Sequence, residues 1–319
     1  MVKIVLSISK CNSAFDHLAT VLGAEAQVAI VPLSGYSLKG ADILIGKSLT
    51  AQDFSSADQL KAVFAYKTGV DDFPLSLLAQ NHVILVNSHV ESDKIAEYAF
   101  VLASTLCSHI LPRDKDLRER GAWLSEYYHD WESLFDKKVG LLGYGHIGKA
   151  LHLLLKRNGI KDYTLARQGS YEGIETCPTL GELIRHSDIL ISSLPDTPLT
   201  HGILNRDIFK QMNGKYLIDI GRSSDIAIGD LYDALYTREL AGAAVDGWDG
   251  TPDNRHALTY PYDHKKWPFE NLDNIILSPH CATQIENGNS HYVDDTLNHV
   301  LAYLHGEKLD SQVDLSKGY

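Results

Sequence analysis

Short apolar runs recur along the chain at intervals that leave room for a helix between them. Residues 2–7, 28–31, 43–45, 62–65 and 84–86 form one series, with helices expected over 15–22 and 75–80. Several of these runs, such as Ile43-Leu44-Ile45, are continuously apolar rather than alternating. Strands read that way when both faces of their sheet are covered, as in a parallel sheet with crossover helices. A second series begins at Val139, with strands over 139–142, 162–165, 189–192, 216–220, 243–246 and 275–277. Helices are expected between them over 147–157, 180–186, 208–212 and 228–238. Between the two series lies a long apolar helix over 95–110, carrying Glu97 in its first turn, then a charged and aromatic stretch over 113–132. That stretch fits a helix followed by a surface loop. Residues 249–268, rich in Pro, Tyr, His and Asp, read as an irregular loop. Val293, Leu297, Val300, Leu301 and Leu304 recur at helical spacing and predict a closing helix over 289–304. The pattern as a whole predicts an α/β fold with two doubly wound parallel sheets.

Composition narrows the partners. The 319 residues carry a net charge of -12, with 44% hydrophobic and 22% charged positions. An acidic chain of average polarity argues against nucleic acid or an anionic membrane surface as the partner. An anionic cofactor remains compatible, because backbone N–H groups and one or two cations hold phosphates locally. Cys11, Cys107, Cys177 and Cys281 lie far apart and show neither a disulfide framework nor zinc-ligand spacing. No signal-peptide pattern opens the chain, and no apolar run reaches the length of a bilayer span, so a cytoplasmic protein is expected.

Candidate chemistry begins at Gly143-Tyr144-Gly145-His146-Ile147-Gly148. Three glycines at this spacing are a weak signal alone. Here a strand precedes them and a helix follows, which is the context a dinucleotide cradle requires. Gly143 makes the tight turn, Gly145 admits the pyrophosphate to the backbone, and Gly148 lets helix and strand pack closely. The backbone of His146 and Ile147 opens the helix, where N–H groups and the helix dipole favour phosphate. The strand one crossover later ends in Ala166-Arg167-Gln168-Gly169-Ser170, without the carboxylate that would bond a ribose 2′-hydroxyl. Arg167 suits a 2′-phosphate instead, so the expected cofactor is NADP(H), with NAD as the alternative.

Six further segments, in order over nearly the whole chain, resemble the D-isomer-specific 2-hydroxyacid dehydrogenase family, in its glyoxylate/hydroxypyruvate reductase-like branch. They are Leu60-Lys61-Ala62-Val63-Phe64 leading to Gly69-Val70-Asp71, Ile95-Ala96-Glu97-Tyr98-Ala99, the stretch from Leu194-Pro195-Asp196 to Thr200, Asp219-Ile220-Gly221-Arg222, Ala241-Gly242-Ala243-Ala244-Val245-Asp246, and Leu277-Ser278-Pro279-His280. The resemblance implies a flavodoxin-like substrate domain (1–102 plus 288–319) and a Rossmann cofactor domain (103–287), with the active site in the cleft between. It also implies an NAD(P)-dependent oxidoreductase of small 2-oxo acids and a homodimer, the 113–132 segment serving as an arm. Arg222 takes the role of catalytic arginine and His280 that of catalytic histidine. Leu194, Pro195, Thr200 and Ile220 flank the cofactor, and Asp246 reaches the nicotinamide amide. Lys67, Thr68, Gly69 and Val70 form the substrate-carboxylate loop, with Lys67 either adding a cation or facing solvent.

The chemistry fits those types. A planar guanidinium at Arg222 holds a carboxylate and polarises the neighbouring carbonyl, and an imidazole at His280 delivers a proton near neutral pH. One position departs from the family. Its glutamate, five residues after the aspartate, is Thr251 here. Three readings follow: Asp249 reaches His280 instead; Thr251 orients a less basic histidine and lowers the pH optimum; or catalysis has weakened and the protein is a dinucleotide sensor or scaffold.

Overall fold

The computed structural model describes residues 1–8, 13–123, 130–165, 170–248, 258–286 and 288–319. The chain divides into two compact units, Met1–Glu91 with Ile285–Tyr319, and Ser92–Gln284.

In the first unit, β1 (Lys3–Ser7), α1 (Ser13–Gly23), β2 (Gln27–Val31), β3 (Ile43–Gly46), α2 (Ala51–Phe54), β4 (Ala62–Ala65), α3 (Leu75–Gln80) and β5 (Ile84–Val86) alternate along the chain. The strands pair in parallel in the order β2-β1-β3-β4-β5, the flavodoxin-like winding. Successive residues of each strand enter opposite cores, as the two-residue strand period demands. Ile4, Leu6, Ile43, Ile45 and Phe64 pack on one side with α1, while Val5, Leu44, Val63 and Leu85 pack on the other. The closing helix, Gly288–Leu304, covers the α1 side through Val293, Leu297 and Val300. Its apolar stripe buries in the core of this unit, which brings the end of the chain back to it.

The second unit holds α4 (Ser92–Ser108), α5 (Ile110–Arg120), β6 (Lys138–Leu142), α6 (His146–Arg157), β7 (Lys161–Leu165), β8 (Glu175–Cys177), α7 (Leu180–His186), β9 (Ile189–Ser192), α8 (Arg206–Gln211), β10 (Tyr216–Asp219), α9 (Ile228–Tyr236), β11 (Gly242–Val245) and β12 (Ile275–Leu277). Its parallel sheet runs β12-β11-β10-β9-β6-β7-β8 among the described residues, the Rossmann order extended by one strand. Again the strands split their side chains. Val139, Leu141, Ile191 and Ile218 face α4 and α6, and Leu142, Leu190, Leu217 and Val245 face α7, α8 and α9. Local chemistry sets the helix starts. Thr179 accepts from Glu182 N at 3.2 Å to cap α7, and Asn205 accepts from Asp207 N and Ile208 N to cap α8.

The expected fold class, two doubly wound parallel sheets, is borne out. Two local expectations are corrected. The helix expected over 95–110 begins at Ser92 and breaks at His109, whose backbone is left-handed with φ 51, and α5 then continues in a new direction. β8, an edge strand of three residues, escaped the apolar pattern because only Cys177 of its side chains is buried. The expected loop over 249–268 closes on Pro268 and a 3₁₀ turn, Phe269–Asn271, whose Phe269 is fully buried. Residues 249–257 of that loop, with Asp249 and Thr251, lie outside the described residues, as does Arg167.

Candidate active site

In the second unit the candidate residues gather at the carboxyl ends of the strands. β6 and β9 are neighbours in the sheet although three crossovers separate them in the chain, which makes this the point where the winding reverses and where such sheets bind ligands. Gly143 leaves β6 with φ +106, and a Cβ there would stand 2.9 Å from Ser193 Oγ. A Cβ on Gly148 would overlap the Gly143 carbonyl, so the first turn of α6 lies directly on the loop. At Gly145, by contrast, a Cβ would meet nothing within 4 Å. Gly145 is the N-cap of α6 and, being glycine, offers the helix start no side-chain cap. The open surface and the N–H groups of the helix start fit a pyrophosphate. Burial, with Lys149 nearby, lowers the His146 pKa, which favours the neutral ring. Tyr144 packs its ring 4.9 Å from Tyr171 and 6.0 Å from His152. His152 in turn bonds Asp162 at 2.8 Å, so a buried pair ties α6 to β7 beneath the loop.

The loop after β9 is closed on itself. Thr200 Oγ1 donates to Pro195 O at 2.7 Å and accepts from Thr197 N at 2.9 Å, and Thr200 is 1% exposed. Leu194 is buried and Pro195 half-buried. Ile220 points into the core and offers the surface only its backbone.

Arg222 follows β10 on a turn wedged between two other loops. A Cβ on Gly221 would lie 2.5 Å from Leu194 O, and Arg222 N donates to Leu194 O at 3.3 Å. On the far side Ser223 N donates to Gly247 O at 2.8 Å. Only glycine allows backbones this close. Asp219 stands wholly buried at the end of β10, accepting from Gly221 N at 3.1 Å and from the Ser223 hydroxyl. These bonds fix the half-buried Arg222 at its position along the strand edge.

Asp225 lies beneath the same turn, 0% exposed. Ser192 Oγ donates to one of its oxygens at 2.5 Å, and the other has no hydrogen-bond partner among the described residues. Burial, and then the Asp219 charge, pushes the Asp225 carboxyl far above the ordinary carboxylate range, and burial raises Asp219 as well. A raised pKa in the folded state means that folding holds a proton the unfolded chain releases above about pH 4. The resulting stability is present in acid and is lost as pH rises toward the folded-state pKa. Wild-type melting temperature is therefore expected to fall from pH 5 to pH 8, and Asp225→Asn to flatten that slope. Calorimetry across the range checks this, and parallel curves for the two proteins would refute it.

His280 follows β12 in a left-handed conformation, φ 55, and is half-buried. Asp246, at the end of β11 and 2% exposed, holds that turn. One of its oxygens accepts from the Ser278 hydroxyl and from Cys281 N at 2.9 Å, and the other accepts from Ala282 N at 3.2 Å. Thus Asp246 acts on the backbone that carries the histidine. Asp219, Ser223 and Ser278 were not singled out from sequence; their signal was a polar residue next to the apolar core of a strand.

In the first unit, the loop after β4 carries Lys67, Thr68, Gly69 and Val70. Asn87 Nδ2 donates to Thr68 O at 2.6 Å, Ser88 N donates to Lys67 O at 3.1 Å, and Thr68 Oγ1 meets Tyr292 OH at 3.1 Å. Lys67 neither stands free nor faces open solvent. It pairs with Asp72, over the Phe73 ring.

Comparisons with known proteins agree with this architecture. Residues 100–282 match the D-isomer specific 2-hydroxyacid dehydrogenase, NAD binding domain. The chain is 27% identical over 244 residues to a protein named putative D-3-phosphoglycerate dehydrogenase of Schizosaccharomyces pombe, covering 75% of this chain and 52% of that one. It is 25% identical over 277 residues to a glyoxylate reductase of Thermococcus onnurineus, covering 83% of this chain and 79% of that one. The chain thus spans about half the length of the phosphoglycerate dehydrogenases it matches. A crystal structure from Pyrococcus horikoshii superposes with a TM-score of 0.82 at 25% identity, over 98% of this chain and 95% of that one. Among the described residues no single helix is long and apolar enough to cross a membrane, and no cluster of metal-ligating side chains is present.

Proposed function

Because the chain belongs to the D-isomer specific 2-hydroxyacid dehydrogenase family, we propose that it is a nicotinamide-dependent reductase converting a small 2-oxo acid to the D-2-hydroxy acid. The observation that carries the proposal is the placement of Arg222 and His280. They follow β10 and β12, on either side of β11, at the same sheet edge as the glycine-capped start of α6. When bound, the nicotinamide ring gives the hydride. Arg222 holds the acid's carboxylate with its planar fork and polarises the carbonyl. His280 donates the proton that the forming alkoxide takes up. Thr68, Gly69 and Val70 offer backbone N–H groups to an anion in the first unit. Lys67 serves there through its pair with Asp72, which leaves a neutral ion pair beside the loop. Turnover of 2-oxo acids by the purified protein tests the reading. Dinucleotide binding without turnover would support a sensor in its place.

NADP(H) is the cofactor supported by Arg167 and by the missing carboxylate at the end of β7. Arg167→Asp is expected to weaken NADPH binding while relatively improving NADH use, read as the ratio of kcat/KM for the two. An unchanged ratio would count against a 2′-phosphate contact.

A homodimer is supported by an apolar surface on the second unit. Val101, Ile110, Leu111 and Leu117 on α4 and α5, with Leu153 on α6, are each about half exposed, and Trp123 is 81% exposed. Exposed apolar side chains on these neighbouring helices fit an interface between copies of the chain. Sedimentation should show a species of twice the 35.3 kDa chain, and a monomer at micromolar concentration would overturn the assignment.

A further inference from the structure

We propose that Tyr98 is a positioning residue for His280, acting through a directed chain of hydrogen bonds that ends on Asp246. The proposal rests on the reductase reading for its effect on turnover, but not for its effect on the histidine itself.

His280 occupies a backbone conformation that side chains other than glycine adopt at a cost, so something must hold it there. Both flanks of the histidine are anchored. Before it, Ser278 N donates to Val245 O at 3.0 Å, and Trp248 Nε1 donates to Ser278 O at 3.1 Å from a buried indole. After it, the N–H groups of Cys281 and Ala282 both donate to Asp246. The side chains of these flanking residues meet at one phenol. Tyr98 OH stands 2.8 Å from Ser278 Oγ and 3.1 Å from Cys281 Sγ. Tyr98 comes from α4, an element that carries none of the candidate catalytic groups.

Proton counting gives the chain its direction. Asp246 already accepts two backbone N–H groups, and the Ser278 hydroxyl spends its single proton on the same carboxylate. Ser278 Oγ must then accept from Tyr98 OH. The phenol oxygen in turn accepts from the Cys281 thiol, which stands nearer to it than to Ser278 Oγ, 3.1 against 3.5 Å. The order is Cys281 to Tyr98 to Ser278 to Asp246, with every donor used once. Burial raises the Tyr98 pKa, so the phenol keeps the proton it donates. A chain of this kind, closed on both sides of one residue, strengthens each bond through the next and leaves the turn a single low-energy arrangement. Tyr98 thereby couples α4, in the core of the unit, to the position of an imidazole it does not touch.

Tyr98→Phe keeps the packed ring and deletes only the hydroxyl. With it, kcat for the 2-oxo acid is expected to fall about 10-fold, while KM for the dinucleotide stays within about twofold. Ser278→Ala cuts the chain one step later and should give a similar loss. Because the two changes break one network, the double variant should lose little more than either alone. The second readout needs no substrate. The His280 ring resonance, assigned by its disappearance in His280→Asn, should be single in the wild type and broadened or split in Tyr98→Phe. A kcat within twofold of wild type together with an unchanged His280 resonance overturns the proposal. If the wild type turns over no 2-oxo acid, the reductase reading fails, and the resonance alone decides whether Tyr98 sets the histidine.

Discussion

Replacing His280 by asparagine is expected to lower turnover by about 10²- to 10⁴-fold while leaving dinucleotide affinity nearly unchanged. That range is what a positioned acid or base contributes to proton transfer. Asparagine is the informative substitution because of the backbone. His280 sits at φ 55, a conformation asparagine tolerates better than most residues, so the turn and its bonds to Asp246 should survive. Alanine at this position would add backbone strain to the loss of the imidazole and blur the result. The glycine loop lies on β6 and receives no support from the His280 turn in the bonds described above. Dinucleotide binding should therefore be preserved, and it separates loss of chemistry from loss of fold. A variant that keeps more than a tenth of wild-type turnover would remove His280 from the proton step.

The second large effect is expected at Arg222. Arg222→Gln should cost about 10²- to 10³-fold in kcat/KM, the scale seen when a donor aimed at developing charge is removed. The loss should divide between the two parameters. Anchoring of the substrate carboxylate is the same in ground and transition states, so its loss raises KM. Polarisation of the carbonyl grows as the oxygen gains charge, so its loss lowers kcat. Arg222→Lys should recover little, since an ammonium has no planar fork to span both groups. Fold is again protected, because the turn is held by backbone bonds and by Asp219, to which the guanidinium adds one long bond, Nη1 to Gly221 O at 3.4 Å. A change confined to KM would mean that Arg222 binds the acid without acting on its carbonyl.

The sheets were legible in the sequence because their physics is local. A strand buried on both faces needs consecutive apolar residues, as in Ile43-Leu44-Ile45 and Ile189-Leu190-Ile191. The glycine loop was legible for a similar reason: Gly143 and Gly148 answer to a left-handed turn and a backbone overlap, which no other residue tolerates. Elements that depend on a neighbour were not. β8 is an edge strand with one buried side chain, and the break at His109 is a left-handed residue without a glycine to announce it. The site followed the same division. Arg222 and His280 stood out by type and place at strand ends. The groups that hold them did not. Asp219, Ser223, Ser278 and Tyr98 act through contacts spanning as many as 183 residues of chain, and such pairs leave no periodic trace. Asp246 was visible, though the structure gives its oxygens to the turn around His280.

The central claim is that this sheet edge reduces a 2-oxo acid. Purified protein should be given NADPH and, separately, NADH with glyoxylate, hydroxypyruvate, pyruvate and phenylpyruvate, following loss of the reduced cofactor. The account predicts turnover of at least one acid, faster with NADPH, and a product of D configuration. A protein that binds the dinucleotide yet oxidises it with none of these acids would contradict it.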